Sequence, residues 1–357
     1  MIKNDNTKQF FPALTGYRAI AAWMIFVYHF MPFKNPALPK LIKLVTWEFH
    51  IGVDMFFVLS GFLITYRYYN DYPIHLKKYL VNRVARIYPM YFLITIAVFA
   101  VWFLQNQTWN SYKTYEVITS ITMIKALFKD FFFAGIPQGW TLTLEEMFYF
   151  TAPFYFILIR KWKSWLFILP LVIFGVFAVL KWMTGAPENT YGFLQTHIHA
   201  YIIEFFTGIG LAYLMLKKKV SANTKWTTWF GLAVITLYLF TRHYVAINFD
   251  LKSDIGRFSE MTLLSIFGIA PLLWGLIHEK TIVQKILSTK WLVLLGKSSY
   301  IFYLIHKGFI PNYIYEYISE SRVVIFVLLN IISILMFKYL EEPANLWIRR
   351  KFGKSKA

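Results

Sequence analysis

Arg18 and His29 stand eleven residues apart inside one apolar run, LTGYRAIAAWMIFVYHFMPF, which covers residues 14–33. At 100° per residue, eleven steps amount to three turns plus about 20°, so both side chains leave one helix face, roughly 16 Å apart along the axis. Ionisable groups are costly inside a membrane span and usually serve a function there. A snorkelling arginine and a packed histidine are the structural alternative. The spacing therefore predicts a helix that carries a guanidinium and an imidazole at two membrane depths.

Three further ionisable residues, Asp54, Glu145 and His306, lie about one turn inside the ends of other apolar runs, as His29 does. All four are expected in one shell, roughly 6–8 Å below the outer membrane surface. A common depth permits one convergent polar site, whereas a network that only joins helices is the alternative. Neutral polar residues would join helices at a lower cost, which favours the functional interpretation.

A basic segment, HLKKYLVNRVARIYP, follows the second apolar run at residues 75–89. Its Arg83 and Arg86 are three positions apart and can lie side by side on one helical turn. Two adjacent guanidinium groups suit a polyanionic phosphate ligand. Basic residues after a span also set the topology and bind anionic lipid, so both interpretations stay open.

Small residues mark two sites of close approach. Ser60 and Gly61 would let a neighbouring backbone or a slim ligand approach the second run, and Gly296 and Ser299 precede Tyr300 in the ninth. Taken alone, such residues are more often helix-packing positions. The sequence contains no cysteine, and no spacing of histidines or carboxylates predicts a metal site.

The composition defines the class of protein. Of 357 residues, 58% are hydrophobic and only 15% are charged, and the mean hydropathy is +0.49. A soluble protein of this size would carry more charge, so we expect an all-α integral membrane protein. The formal net charge of +19 is then expected from basic loops on one side of the membrane rather than from binding to nucleic acid.

The apolar runs predict a bundle of about ten transmembrane helices in a single domain, 1–357. The runs lie near 14–33, 49–69, 90–105, 141–159, 164–182, 197–215, 226–243, 258–277, 293–310 and 321–340. Lys and Arg number 23 in the segments on the side of the termini and 9 on the other side, which predicts that both termini are cytoplasmic. The polar start has no signal-peptide pattern, so the first span is expected to remain as an anchor.

Several short motifs follow one another along almost the whole chain. They comprise Arg18, His29, Gly52-Val53-Asp54, Phe56 to Gly61, Arg83, Arg86 to Pro89, Trp140, Leu142, Glu145, Phe148-Tyr149, Gly296, Ser299-Tyr300, Tyr303-Leu304, His306, Glu341 and Pro343. In this order and at these spacings they resemble the motifs of the acyltransferase-3 family of integral membrane acyltransferases. Thr141 stands where the family usually has Ser.

The resemblance implies transfer of an acyl group, most often acetyl, from cytoplasmic acyl-CoA to a hydroxyl outside the membrane. Acyl-CoA is then a co-substrate, and no permanently bound cofactor is expected. His29 is the implied general base or acyl carrier, with Asp54 or Glu145 fixing its tautomer. The residues implied to bind acyl-CoA are Arg18, Arg83, Arg86, Tyr88, Ser60 and Gly61. The implied supporting residues are Trp140, Tyr149, Ser299, Tyr300, Tyr303, His306 and Glu341.

The implied partners are the bilayer of the inner (plasma) membrane, acyl-CoA, and a carbohydrate or lipid-linked glycan acceptor on the outer side. Lipopolysaccharide, exopolysaccharide, peptidoglycan or a small molecule would all be compatible acceptors. Many family members carry a C-terminal esterase-like domain, which is not expected here because the sequence ends 17 residues after the last run.

Two rival classes remain. A transporter or flippase for an envelope glycan or an anionic small molecule would need matched Gly or Pro interruptions in its two halves, and the sequence shows no such pairing. An inert membrane scaffold would leave the common depth of the charged residues unexplained.

Overall fold

A computed structural model describes residues 9–30, 38–184, 198–217, 225–248 and 254–353, and these ranges contain helices and no strand. The α-helices are α1 (Pro12–Phe30), α2 (Lys40–Trp47), α3 (Gly52–Tyr68), α4 (Leu76–Asn106), α5 (Ser111–Ile121), α6 (Trp140–Lys161), α7 (Trp165–Met183), α8 (Ile198–Lys217), α9 (Thr227–Asn248), α10 (Asp254–Leu263), α11 (Ala270–His278), α12 (Ile282–Leu287), α13 (Lys290–Ile305), α14 (Phe309–Tyr317), α15 (Arg322–Met336) and α16 (Glu342–Phe352). Short 3-10 helices cover Glu48–Ile51, Lys125–Leu127 and Pro137–Gly139, and π-helical turns cover Leu264–Ile269 and Phe337–Glu341.

The structure supports the all-helical membrane class. Six helical runs in the described ranges are long and apolar enough to cross a membrane. Residues such as Phe167, Leu171 and Val176 on α7 are apolar and exposed, as expected for a face in contact with lipid. Every predicted span overlaps a helix, but the number of ten spans and their orientation stay predictions, and residues 31–33 and 197 lie outside the described ranges.

Two details of the sequence prediction need correction. The third predicted run, 90–105, is only the second half of α4, because the basic segment before it continues the same helix through Pro89. The sequence of residues 122–133 also predicts a possible surface helix, and this prediction is wrong, since α5 ends at Ile121 and only a 3-10 turn follows within that stretch. The apolar spacing of the 122–133 segment instead reflects packing of an irregular chain against α6.

Close helix crossings fix the centre of the bundle. A Cβ atom at Gly296 would lie 1.8 Å from the Thr15 carbonyl oxygen, so α13 packs directly on the backbone of α1. A Cβ atom at Gly61 would lie 2.0 Å from the Phe205 carbonyl oxygen, so α3 packs equally closely on α8. Only glycine permits these approaches.

The first and last described segments lie at one end of the bundle, which we call the terminal end, because Gln9 and Arg349 border the same cavity there. Helices α1 and α13 run away from the terminal end and pack in parallel, so His29 and His306 meet near the opposite, far end. Helices α3, α6 and α8 return toward the terminal end.

Candidate functional site

At the far end, the imidazole rings of His29 and His306 are hydrogen-bonded to each other. The distance from His29 Nδ1 to His306 Nε2 is 2.9 Å, and the distance from His306 Nδ1 to the Tyr303 carbonyl oxygen is 2.7 Å. His306 is fully buried, whereas His29 is exposed. The pair therefore joins a buried ring, fixed to the backbone, to a ring that an outside molecule can reach.

These contacts determine the tautomers of both rings. The Tyr303 carbonyl can only accept, so Nδ1 of His306 carries a proton. In the neutral ring, Nε2 of His306 is then an acceptor, and Nδ1 of His29 must donate to it. Nε2 of His29 is left with the lone pair, which is the arrangement that a general base or a nucleophilic imidazole requires.

A short segment before α6 supports the backbone under His306. The Gln138 side-chain amide donates to the carbonyl oxygens of Tyr303 and Leu304 at 3.0 and 2.7 Å. The buried Lys125 ammonium donates to the carbonyl oxygens of Ala134 (2.6 Å) and Ile136, and so holds the chain that leads to Gln138. Burial lowers the pKa of Lys125 to about 7.

A cavity of about 530 Å³ opens at the terminal end and extends into the bundle between α1, α3, α4, α6 and α13. Its mouth lies between Phe10 and Arg349, and its inner wall includes Val53, Phe56 and Tyr303. Six cationic side chains line it: Arg18, Arg67, Arg83, Arg86, Lys297 and Arg349. We call this space the arginine cavity, and its charge suits a ligand with several negative charges.

Arg83 keeps an unused hydrogen-bond donor in the arginine cavity. Its guanidinium lies 5.7 Å from the ring centre of Tyr68 and 5.3 Å from that of Tyr149, so two aromatic rings hold it. Its Nε is buried and has no hydrogen-bond partner in the part of the chain that the structure describes. Arg86, in contrast, donates to Glu341 Oε1 at 2.5 Å.

Glu145 supplies a negative charge inside the same cavity. Its Oε1 accepts hydrogen bonds from Ser60 Oγ, at 2.6 Å, and from the Tyr149 hydroxyl. Arg18 is an electrostatic neighbour of Glu145, Arg86 and Glu341. Glu145 thus belongs to the arginine cavity and does not contact the histidine pair.

Tyr303 separates the arginine cavity from the histidine pair. Its hydroxyl lies 2.8 Å from Thr141 Oγ1 and donates to the Gln138 carbonyl oxygen at 3.1 Å. His306 follows Tyr303 by three residues on α13, a rise of about 4.5 Å. The cavity therefore ends about one helical turn short of His306.

The expectation of a single shell that contains His29, Asp54, Glu145 and His306 needs correction. Asp54 is buried beside Glu204, outside the arginine cavity. Ser60 is six residues after Asp54 on α3, so Glu145, which contacts Ser60, lies about 9 Å deeper along that helix. The depth of Glu145 was predicted on the assumption that α6 starts at the outer membrane surface. Instead, the chain before α6 enters the bundle, so α6 starts deeper than expected.

The other residues assigned from the resemblance fall into two groups. Tyr149, Tyr300 and Tyr303 line the arginine cavity, and Tyr300 donates to the Ile87 carbonyl oxygen. The remaining ones do not line it: Tyr88 stacks on Phe92, Gly61 packs on Phe205, Ser299 donates to the Gly296 carbonyl oxygen, Trp140 stacks on Phe132, and Glu341 binds Arg86.

Sequence reasoning missed several residues of the two sites. Arg67 and Arg349 were counted only as part of the charge bias between loops, although both line the cavity. Lys297 lies between Gly296 and Ser299, inside a motif of the family, and this position was the best indication in the sequence of a further site residue. Gln138 and Lys125 lie in an irregular segment, where no helical periodicity places them.

The comparisons with known proteins agree on one family. A family model described as "Acyltransferase domain" matches residues 11–338. O-acetyltransferase OatA of Staphylococcus aureus (strain NCTC 8325 / PS 47) is 25% identical over 97% of this chain and 58% of its own length. "Putative O-acetyltransferase SACOL0978" of Staphylococcus aureus (strain COL) is 24% identical over 94% of this chain and 57% of its own length. The chain thus spans less than two thirds of these relatives, and no solved structure matches it.

The match to the family model covers the helices that form the arginine cavity, apart from α16, and both histidines of the pair. An all-helical bundle with membrane-crossing runs agrees with it. This chain belongs to the acyltransferase-3 family of membrane acyltransferases.

Proposed function

We propose that the protein is an O-acyltransferase that moves an acyl group, most simply acetyl, from cytoplasmic acyl-CoA to a hydroxyl of an acceptor outside the membrane. One observation carries this proposal: a cation-lined cavity opens at the terminal end, and its closed end lies about one helical turn from the histidine pair. The relatives are named O-acetyltransferases, which supports the choice of acetyl.

The arginine cavity would bind the donor. Coenzyme A carries several phosphate groups on a long thioester arm, and guanidinium groups bind phosphate through paired, charge-assisted hydrogen bonds. The phosphates would lie near the mouth, among Arg67, Lys297 and Arg349, and Arg83 Nε offers a donor deeper inside. The thioester arm would then extend toward Tyr303.

The reaction would take place at His29. Nε2 of His29 accepts the proton of the acceptor hydroxyl, the hydroxyl oxygen bonds to the thioester carbonyl carbon, and the carbon–sulfur bond breaks to release CoA thiolate, which then takes up a proton. Because His306 accepts the Nδ1 proton of His29, it stabilises the imidazolium that forms. A covalent route, in which His29 Nε2 first takes the acyl group from the thioester and then passes it to the hydroxyl, uses the same atoms.

The acceptor would be a carbohydrate or another cell-envelope molecule with a free hydroxyl. His29 is exposed at the far end, so an acceptor would reach it without entering the arginine cavity. Donor and acceptor would then approach the reacting atoms from opposite ends of the bundle, with the protein in the plasma membrane.

Sealed vesicles test this two-sided reaction. We expect labelled acetyl-CoA to support transfer to envelope glycan only when it is present on the side of the terminal end, and mass spectrometry of the glycan measures the product. Vesicles without the protein are the control. Transfer from acetyl-CoA that is added only on the far side would contradict the proposal.

Reporter fusions test the orientation on which the proposal depends. The bias of 23 to 9 basic residues predicts that a reporter after Ala357 is cytoplasmic and one within 244–257 is outside. The reverse result at either position would overturn the assignment of the two sides.

A further inference from the structure

A second cationic recess lies at the terminal end, separate from the arginine cavity. It has a volume of about 260 Å³ and lies where α3, α6 and α8 end. Its lining consists of Tyr69, Asn70, Tyr72, Ile159, Arg160, Lys163, Tyr213 and Lys217, and none of these residues lines the arginine cavity. We call it the Arg160 recess.

Two tyrosine rings hold the Arg160 guanidinium in place. Its central carbon lies 4.9 Å from the ring centre of Tyr69 and 4.8 Å from that of Tyr72. Tyr69 is itself buried and packs edge-on against Tyr213, with ring centres 5.6 Å apart. A guanidinium that is already held against two rings loses little conformational freedom when it binds a ligand.

The two terminal nitrogens of Arg160 have unused hydrogen-bonding capacity. Nη1 and Nη2 are both shielded from solvent and have no hydrogen-bond partner among the described residues. The Asp71 carboxylate acts on the guanidinium electrostatically, and still neither nitrogen has a partner. Leaving such donors unpaired is costly, so the arrangement indicates a ligand that accepts two hydrogen bonds from one fork.

The surroundings of the recess favour a phosphate group. Lys163 and Lys217 are exposed cations on its rim, so three positive charges surround one small volume. Trp162 next to it is exposed, and Lys161 lies over its ring at 4.3 Å. Tryptophan and basic residues together are typical of the membrane–water interface, where lipid phosphates lie.

We propose that the Arg160 recess is a binding site for a phosphate group at the membrane surface of the terminal end, with Arg160 as the bidentate donor and Lys163 and Lys217 as accessory cations. The headgroup of an anionic phospholipid and a soluble phosphate share this chemistry. The site does not depend on the proposed transfer reaction.

Native mass spectrometry of the full-length protein tests the site with short-chain phosphatidylglycerol as the probe. We expect wild type to bind this lipid and Arg160→Gln to bind it at least tenfold more weakly, because a charge-assisted pair of hydrogen bonds is lost. Lys161→Gln is the matched control, since Lys161 is adjacent and basic but does not line the recess, and it should bind as wild type does. Equal affinity in wild type and Arg160→Gln would overturn the proposal.

Two further probes distinguish the sources of phosphate. Displacement of the lipid by millimolar inorganic phosphate would support a soluble phosphate ligand, and its retention would support a lipid headgroup. Phosphatidylcholine that binds as tightly as phosphatidylglycerol, and is unaffected by Arg160→Gln, would show unspecific lipid binding and overturn the site.

A second variant covers the case in which Arg160→Gln does not fold. The Lys163→Gln/Lys217→Gln double variant retains the guanidinium between its two rings, and melting curves report its fold. It should bind phosphatidylglycerol about tenfold more weakly at low salt, with the difference shrinking as the salt concentration rises. Unchanged affinity at low salt would overturn the role of the three-cation cluster.

Discussion

At the far end of the bundle, both nitrogens of His306 and Nδ1 of His29 are engaged in a chain of hydrogen bonds that ends on the Tyr303 carbonyl. In the arginine cavity, by contrast, Arg83 Nε is buried without a hydrogen-bond partner among the described residues. The histidine pair therefore has one defined arrangement of protons. The arginine cavity has an unpaired hydrogen-bond donor and several cationic side chains.

The difference is what a reaction site and a binding site require. A catalytic imidazole needs one fixed tautomer and orientation, which bonds to backbone carbonyls provide at little entropic cost. A site for a polyanion needs hydrogen-bond donors that have no partner within the protein. Such a donor gains a hydrogen bond when the ligand binds, whereas a paired donor would first have to break an existing one. Mutations in the two regions should therefore affect different steps.

The largest effect is expected at His29. His29→Gln retains a hydrogen-bonding side chain but can neither take up a proton nor carry an acyl group, so transfer in vesicles should fall about 10²- to 10⁴-fold. Acyl-CoA affinity and the melting curve should stay close to wild type, because the arginine cavity is unchanged. His278→Gln, at a histidine outside both sites, is the control. Near wild-type transfer by His29→Gln would end its catalytic assignment.

A smaller effect is expected at His306, which acts through His29. His306→Ala should lower the transfer rate by about 10- to 100-fold, the size of effect known for groups that orient metal-ligating histidines, and leave the KM for acyl-CoA unchanged. The variant should also change the pH profile of transfer, because His29 loses the partner of its Nδ1 proton. Rescue by His306→Gln, whose side-chain oxygen can accept the hydrogen bond from His29 Nδ1, would distinguish positioning of His29 from packing. An unaltered pH profile in His306→Ala would argue against a positioning role for His306.

A still smaller effect is expected in the arginine cavity. Arg83→Gln removes the guanidinium and its unpaired Nε, so acyl-CoA should bind about tenfold more weakly, which corresponds to roughly 1.4 kcal/mol. The transfer rate at saturating acyl-CoA should remain close to wild type. Lys351→Gln, an exposed cation of the terminal end that does not line the cavity, is the control. If Arg83→Gln and Lys351→Gln bind acyl-CoA equally well, Arg83 contributes only to the membrane topology.

The smallest effect on transfer is expected from Lys125, which supports the segment that carries Gln138. Lys125→Met leaves the carbonyls of Ala134 and Ile136 without their donor, which should lower the free energy of unfolding by about 1–3 kcal/mol. Transfer should change little if the fold persists. Lys129→Met, an exposed lysine of the same segment, should have no such effect.

The pH dependence of stability provides a second measurement on Lys125. Burial lowers its pKa to about 7, so the folded protein releases a proton there that the unfolded chain keeps up to about the ordinary lysine pKa of 10.5. The unfolded state holds more protons between these values, and stability rises with pH in that interval. The melting temperature of wild type should therefore rise relative to that of Lys125→Met between about pH 7 and 10. If the melting temperatures of wild type and Lys125→Met change in parallel with pH, the lowered pKa of the buried Lys125 is contradicted.

The sequence predicted much of both regions before any tertiary contact was known. The spacing of Arg18 and His29 on one face of α1 is local, because helical geometry alone determines it. The structure agrees: Arg18 lines the arginine cavity, and His29 lies farther along the same helix in contact with His306. The partner of His29 was not predictable, since α1 and α13 are separated by more than 250 residues and only their close crossing brings the rings together.

The sequence by itself determined the all-helical membrane class, the positions of the long apolar runs and the family, because composition and short motifs are local properties of the chain. Only the tertiary structure decided which polar residues share a site. Glu145 lies in the arginine cavity and Asp54 lies beside Glu204, although both were expected beside His29. The physical reason is depth and rotation: α6 begins at Trp140, next to the predicted start of its run, but only packing fixes how deep a helix lies in the bundle and which neighbour each of its side chains faces.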